Sequence, residues 1–318
     1  MRHLFCTTFL TVAMLSASCA ADSPVVRPPK GQVYVFESDA SGFNTKTVFY
    51  DDGQQVVAFD AQFTEGSAEQ AIAFLKQQTS HPIKYLIVTH PNPDKFLGVP
   101  AFKKVGATVI MSQETAQHMP AVYDYKKYYF VNIAKSFTDS SFPKPVTADK
   151  TFADTYTIPT AGGGTVELRE LHQAGISSNQ TVAYIKQANL LIVGDLVHHR
   201  VHAWLEGPIV EGKAAYQTQP WVNALRRLQK EYPATARVYG GRGEAAPAAL
   251  AFADQIRYLT QAETITRSYV ESLPGNSLAD KKAKVDYATL TKAFEREFPG
   301  YGLSYMISYG AYGLVNSL

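Results

Sequence analysis

Alternation of apolar and polar positions predicts the first strands of the fold. Residues 32–38 alternate as one strand, and residues 45–50 and 54–60 form apolar stretches on either side of Gly53. A glycine between two such stretches favours the positive φ of a hairpin turn, so the two stretches are predicted to pair. Residues 67–78 then carry apolar positions at helical spacing, and Ser67 is expected to cap that helix.

A strand–helix–strand unit follows. Residues 83–88 are a short, mostly apolar run typical of a buried strand, residues 96–105 have helical spacing, and residues 107–111 are again strand-like. In such a unit, functional side chains lie at the carboxyl end of the first strand. We therefore expect functional side chains immediately after residue 88.

The second half of the chain repeats this mixture. Strands are predicted at residues 165–171, 181–186, 190–193 and 237–239, and helices at residues 221–231, 248–272 and 287–298. Pro143 and Pro145 make residues 142–156 loop-like, and the apolar tail 301–318 is expected to dock on the body. This order of elements predicts an α/β protein. Its two sheets would pack face to face with helices outside, an αββα sandwich, in one domain over residues 32–318.

The first residues have the character of a secretory signal. Arg2 and His3 precede a mostly apolar stretch, and small residues follow up to a plausible cleavage site after Ala20. Residues 1–20 are therefore predicted to be a signal peptide and residues 21–31 an extended leader, which implies a periplasmic or secreted protein. Lipidation of Cys19 is the alternative reading.

Composition excludes several kinds of partner. The formal charge of +2 falls to +1 once residues 1–20, which include Arg2 and no acidic residue, are removed. So small a charge favours neither nucleic acid nor a membrane surface as partner. Both cysteines, Cys6 and Cys19, lie in the signal region, so the remaining chain offers no thiolate ligand. No apolar run after residue 20 is long enough to span a bilayer.

One motif points to a family. Residues 86–98 read Leu-Ile-Val-Thr-His-Pro-Asn-Pro-Asp-Lys-Phe-Leu-Gly. This stretch resembles the metal-binding loop of the metallo-β-lactamase superfamily, T-H-x-H-x-D-H-x-x-G. His90 and Asp94 match that pattern, whereas Asn92 and Lys95 stand in place of its second and third histidines.

The resemblance extends over roughly residues 33–258, with further motifs in the same order. Asp60 resembles the early aspartate that braces the metal loop, and Asp195 in Gly194-Asp195-Leu196 resembles the aspartate that bridges two metals. Residues 175–182 resemble G-H-[ST]-x-x-[NS] with Ile176 in place of histidine, and residues 240–243 resemble P-G-H-G with Arg242 in place of histidine. The resemblance implies a metallo-β-lactamase-like fold.

The motif leaves too few donors for the zinc site that the resemblance implies. Such a site uses about four to six imidazoles and carboxylates. Three donors remain at the matching positions: His90, Asp94 and Asp195. Four imidazoles are replaced, by Asn92, Lys95, Ile176 and Arg242. We therefore predict that no metal cofactor is bound and that Lys95 and Arg242 neutralise Asp94 and Asp195 as built-in cations.

Binding of a small anionic organic ligand is the function predicted from these residues. Residues of the motif that would carry any catalysis are His90, Asp94, Lys95, Asp195 and Arg242. Side chains expected to contact the ligand are Asn92, His172, His198, His199 and His202, because the segment after Asp195 is expected to run along the cleft. A purely structural role for the cluster stays open.

Two enzymatic alternatives stay open as well. In the first, one zinc ion held by His90, Asp94 and Asp195, with His172 as a fourth ligand, activates water against an ester, lactone or amide. In the second, Lys95 acts as a base without metal. The aromatic stretch Tyr123, Tyr125, Tyr128, Tyr129 and Phe130 is either a lid over the site or a packed helix face.

Overall fold

Two six-stranded sheets lie at the centre of the molecule, which is known from a computed structural model that describes residues 31–318. The predicted signal peptide, the leader up to residue 30 and Cys19 lie outside the described residues. The strands of the first sheet, adjacent in chain order, are β1 (Gln32–Glu37), β2 (Lys46–Asp51), β3 (Val56–Phe59), β4 (Ile83–Val88), β5 (Thr108–Ser112) and β6 (Lys150–Phe152). Strands β1 to β3 pair antiparallel, and β3 to β6 pair parallel.

The second sheet has the spatial order β14-β13-β10-β9-β8-β7. The strands of the second half of the chain, including a separate small hairpin of β11 and β12, are β7 (Thr155–Pro159), β8 (Thr165–Glu170), β9 (Thr181–Ile185), β10 (Leu190–His199), β11 (Ile209–Val210), β12 (Lys213–Ala214), β13 (Arg237–Gly243) and β14 (Ala246–Pro247). Strands β10 and β13 are parallel, so their carboxyl ends meet at one edge.

Helices cover both outer faces. Those described are α1 (Glu65–Lys76), α2 (Pro93–Phe96), α3 (Val99–Lys104), α4 (Gln113–Tyr128), α5 (Thr218–Glu231), α6 (Ala248–Ser272), α7 (Leu278–Lys282), α8 (Tyr287–Glu297) and α9 (Tyr305–Ser317). One apolar cluster packs α1, α3 and α4 on the first sheet, another packs α5, α6, α8 and α9 on the second, and a third fills the space between the sheets. The predicted αββα sandwich is confirmed. Within residues 31–318, no helix has the length and apolarity needed to cross a membrane.

Several local predictions were wrong. The cap of α1 is Thr64, whose side chain accepts from the Ser67 amide, so the helix begins before Ser67. The helix predicted over residues 96–105 is divided into α2 and α3 at Gly98. A side chain at Gly98 would meet the carbonyl oxygen of Ala61 at 1.9 Å, so only glycine allows this close approach. The stretch expected to be a loop contains β6, an edge strand that pairs with β5 through its backbone.

Candidate functional site

The motif residues converge because parallel strands end at a common edge in each sheet. Asp60 follows β3, and His90 follows β4, which is parallel to β3. The short helix α2 then carries Asp94 and Lys95. From the second sheet, β10 contributes Asp195 and the parallel strand β13 contributes Arg242. Buried side chains from both sheets therefore meet in one place.

Lys95 lies at the centre of this cluster. Its ammonium is 2.8 Å from Asp195 Oδ1, 2.9 Å from Asp94 Oδ2 and 3.9 Å from Asp60 Oδ2, and the whole side chain is fully buried. An ammonium carries three donors and no lone pair. Two close carboxylates and a third further away therefore surround a cation that belongs to the chain itself.

Arg242 joins the same two carboxylates from the other side. Its Nη1 donates to Asp195 Oδ2 at 2.7 Å, and its Nη2 donates to Asp94 Oδ2 at 2.9 Å. Nε donates to the carbonyl oxygen of Phe43 at 2.7 Å, and Nη2 also donates to Thr45 Oγ1 at 3.0 Å. The guanidinium is thus held on every nitrogen, and the pairing of both cations with both aspartates agrees with the sequence prediction.

Close approach of the backbone completes the cluster. A side chain at Gly241 would place its first carbon 1.7 Å from Asp195 Oδ1 and 3.0 Å from the Lys95 ammonium. Glycine is therefore required beside the ion pairs, and β13 supplies it one position before Arg242.

The charges in the cluster stabilise one another's ionised forms. Burial alone would raise the pKa of Asp94, but Lys95 and Arg242 outweigh burial and lower that pKa to about 2. Burial also opposes ionisation of Asp195, but Arg242 and Lys95 hold its pKa well below the usual range. Burial would lower the pKa of Lys95, and the two aspartates raise it instead. At neutral pH the four side chains are therefore two cations and two anions.

Asp60 stands slightly apart and braces the loop. Its Oδ1 accepts from the backbone amide and from the hydroxyl of Thr89, each at 2.9 Å, which fixes the chain just before His90. Burial raises the pKa of Asp60 to about 7, against the opposing influence of Lys95.

His90 and His198 are buried beside the cluster with ring nitrogens that lack partners in the described chain. His90 Nδ1 is 3.0 Å from Thr89 Oγ1, whereas Nε2 has no hydrogen bond and lies 3.7 Å from Asp195 Oδ2. Neither ring nitrogen of His198 has a hydrogen-bonding partner among residues 31–318. Burial lowers the pKa of His90 to about 4 and that of His198 to about 3, so both rings are neutral at pH 7.

The remaining predicted ligand contacts lie elsewhere. His172 is on the surface, 2.7 Å from Glu114 Oε1 and 2.9 Å from Asp154 Oδ1. His199 lies 3.2 Å from Asp254, and His202 lies 3.1 Å from the hydroxyl of Tyr258. Strand β10 continues to His199 instead of ending near Val193, which keeps this segment in the sheet. None of His172, His198, His199 and His202 is among the residues that line the pocket described next.

A pocket of about 380 Å³, including its mouth, opens beside the cluster. Its polar lining comes from Asn92, Asp94, Lys126, Asp195 and Arg242, and its apolar lining from Phe43, Phe63, Pro93, Phe130, Ile176 and Trp204. The sequence placed Phe130 in a possible lid but gave no role to the other aromatic lining residues, Phe43, Phe63 and Trp204. Of the predicted aromatic stretch, Phe130 lines the pocket, whereas Tyr128 is exposed to solvent.

Comparisons with known proteins place this geometry in a family. The family model of the Metallo-beta-lactamase superfamily matches residues 41–242, which is more than half of the chain and includes every residue of the ion cluster. The chain belongs to the metallo-beta-lactamase superfamily. A solved structure described as a metallo-beta-lactamase from Pontibacter korlensis matches with a TM-score of 0.54 and 22% identity, over 72% of this chain and 95% of that one. At that identity the match shows the shared fold. No curated protein matches the chain.

The residues present do not fit the metal that the superfamily implies. No group of three or more histidine, cysteine or acidic side chains in residues 31–318 has an arrangement that could hold a metal ion. The carboxylates of Asp94 and Asp195, the best donors, are already bound by Lys95 and Arg242. An added dication would meet two cations within a few Å, a repulsion of several kcal/mol in a partly buried site.

The buried histidines predict sensitivity to mild acid. Burial lowers the pKa of His202 to about 4, as it does for His90, so the unfolded chain takes up protons below about pH 6.5 that the folded chain does not. The free energy of unfolding should therefore fall as pH falls from about 6.5 to 4, by about 1.4 kcal/mol per pH unit for each such histidine. Asp60 has the opposite effect on stability. Its raised pKa stabilises the folded state at low pH, and this stabilisation is lost as pH rises from about 4 to 7.

Three buried histidines outweigh Asp60 and the partly exposed His172, whose pKa is raised by its hydrogen bond to Glu114, so stability should fall in acid. Urea unfolding of the wild type and of His202→Gln between pH 4.5 and 7 measures it, and the variant should show the shallower dependence. A wild type whose stability is flat or rises toward pH 4.5 would contradict the neutral, buried state of these rings.

Proposed function

We propose that the chain binds a small organic molecule of no net charge in the pocket beside the ion cluster, without metal-dependent hydrolysis. The observation that carries the proposal is the position of the Lys95 ammonium, within 3 Å of Asp94 and Asp195 at a motif position where the superfamily has a metal-binding histidine. A lysine ammonium cannot coordinate a metal, and it occupies the carboxylates that would.

Charge pairing favours an uncharged ligand. The sequence predicted an anionic ligand because Lys95 and Arg242 belong to the motif. In the structure both cations face Asp94 and Asp195, which leaves little positive potential for an anion. The remaining cation of the pocket, Lys126, is paired with Glu206. A charged ligand of either sign would lose its hydration on entering the pocket. It would gain little attraction in return, because the charges of the pocket are already paired with one another.

The pocket walls favour an apolar, flat body. Phe43 packs against Phe63, Phe130 and Trp204 with ring centroids 5.0, 5.7 and 5.9 Å apart. Aromatic walls of this kind bury apolar ligand surface and contact planar rings at their faces and edges.

The single-zinc hydrolase finds no supporting geometry. Its fourth ligand was to be His172, whose ring is 44% exposed and held between Glu114 and Asp154. Because His172 lies on the surface, the remaining candidate zinc ligands are His90, Asp94 and Asp195. Both of these aspartates are already bound by Lys95 or Arg242.

The metal content of the purified protein tests the proposal directly. We expect well under one zinc per chain by elemental analysis after dialysis, and no change in melting temperature on adding a chelator, because nothing stabilising is removed. Protein incubated with equimolar zinc and dialysed in the same way serves as the control for retention. Zinc retained in a 1:1 ratio with the chain, or a melting temperature lowered by the chelator, would overturn the proposal.

A further inference from the structure

Lys126 has donors that the chain does not use. It lies on α4, is 6% exposed, and its ammonium is paired with the carboxylate of Glu206. The same ammonium lies 5.0 Å from the ring centroid of Trp204, whose indole N–H also donates to Glu206 at 2.9 Å. Three N–H groups are available on the ammonium, and Glu206 is their one hydrogen-bond acceptor among the described residues. A hydrogen-bond acceptor on a ligand can therefore bind an unused N–H group of Lys126.

Asn92 presents a second free polar group to the same pocket. Its side chain is half-buried and lines the pocket, but it makes no hydrogen bond to a residue of the described chain, not even as a cap of α2. A side-chain amide carries two donors and one acceptor. The other polar groups of the lining, Asp94, Asp195 and Arg242, are bound within the cluster. Lys126 and Asn92 thus each have hydrogen-bond donors left for a ligand.

The free donors call for an oxygen acceptor without charge. A carboxylate on the ligand would approach Lys126, but it would also lie in the pocket with Asp94 and Asp195, and Glu206 already balances Lys126. A cation would meet Lys126 and Arg242. A carbonyl oxygen accepts hydrogen bonds from an ammonium and an amide with no charge to bury.

We propose that the pocket selects an uncharged aryl carbonyl compound, such as an aryl ketone, ester or amide. Its carbonyl oxygen accepts hydrogen bonds from Lys126 and Asn92, and its ring contacts Phe43, Phe130 and Trp204. This assignment rests on the proposed function, that of a small-molecule pocket, and adds the chemical class of the ligand.

Matched probes separate the two ideas. Acetophenone and ethylbenzene have nearly the same shape and differ by the carbonyl oxygen, and benzoate adds a charge. Their dissociation constants are measured by ligand-observed NMR titration. Tryptophan fluorescence, to which Trp204 of the pocket wall and the buried Trp221 both contribute, is a second readout. We expect acetophenone to bind about fivefold or more tightly than ethylbenzene, and benzoate to bind more weakly than acetophenone.

Variants then test whether Lys126 and Asn92 cause the preference for acetophenone. Lys126→Met combined with Glu206→Gln removes the ammonium without leaving a buried carboxylate unpaired, and the preference for acetophenone should fall to about one while ethylbenzene still binds. Asn92→Leu, at a half-buried position, should reduce the preference as well and serves if the double variant fails to fold. Lys127→Met is the matched control, because Lys127 is the next residue of α4 and pairs with the exposed Asp139.

The outcomes separate the assignment of the ligand from the proposed function. A preference for acetophenone that is lost in the double variant, or reduced in Asn92→Leu, and kept in Lys127→Met supports the assignment. A preference unchanged in the double variant or, if that does not fold, in Asn92→Leu overturns it while leaving the binding pocket in place. Equal binding of acetophenone and ethylbenzene overturns it as well. Tightest binding of benzoate overturns both the assignment and the uncharged ligand of the proposed function. Binding of none of the three probes to the wild type overturns the assignment together with the small-molecule pocket.

Discussion

Replacing Asp195 by asparagine should lower the free energy of unfolding by about 3–5 kcal/mol, because it leaves two buried cations facing one carboxylate. Asp195 is 1% exposed and accepts from Lys95 at 2.8 Å and from Arg242 at 2.7 Å. Asparagine keeps the shape of the side chain, so the loss reports charge and not a cavity. Urea unfolding of both proteins at pH 7 gives the difference.

Two further variants sharpen this test. Asp139→Asn removes an aspartate that also pairs with a lysine, Lys127, but at the surface, and its stability should stay close to that of the wild type. Adding Lys95→Met to Asp195→Asn removes the stranded cation, and the double variant should recover part of the lost stability. An Asp195→Asn protein as stable as the wild type would contradict the role given to the ion cluster.

Introducing four histidines should create a zinc site in this chain. The variant combines Asn92→His, Lys95→His, Ile176→His and Arg242→His, which removes two cations and adds four imidazoles around Asp94 and Asp195. Because the metal stabilises the folded state by mass action, zinc at about a hundred times its dissociation constant should add about 2.7 kcal/mol to the free energy of unfolding. Calorimetric melting with and without zinc measures the gain, and the wild type in the same titration is the control.

The result also tests the alignment of the motifs. His90 and Asp195 are already 3.7 Å apart, and the family match covers all four positions to be changed, so we expect that only side chains need to change. A folded quadruple variant that takes up no zinc would show that Ile176 or Arg242 does not occupy the position assigned to it. Hydrolytic activity is not required for this test, because it depends on further groups around the metal.

The fold and the ion cluster could be predicted from the sequence because the patterns that indicate them lie within short segments. Each motif follows its own strand, so the order of strands and motifs was enough to bring Asp94, Lys95, Asp195 and Arg242 together. Pairing of opposite charges then followed from the cost of burying any one of them alone.

Contacts between segments that are distant in the chain could not be predicted from these local patterns. The pocket wall joins Phe43, Phe63 and Trp204, which lie far apart in the chain and belong to no motif. His198 and His199 were assigned to the cleft because the strand was expected to end near Val193 and the following segment to run along the cleft. Pairing with Arg242 and Gly243 of β13 extends β10 through both histidines, and that pairing is invisible in the local pattern.

The sharing of two carboxylates by two cations also limits how this sequence can change over generations. A change of Lys95 alone to histidine leaves Asp94 and Asp195 with Arg242, and a change of Arg242 alone leaves them with Lys95. Each single step unbalances a buried cluster before any set of metal ligands is complete. Since natural proteins have only about 5–15 kcal/mol of stability to lose, such intermediates are the ones that selection removes. The shared ion pairs therefore oppose a stepwise gain of metal ligands in this chain.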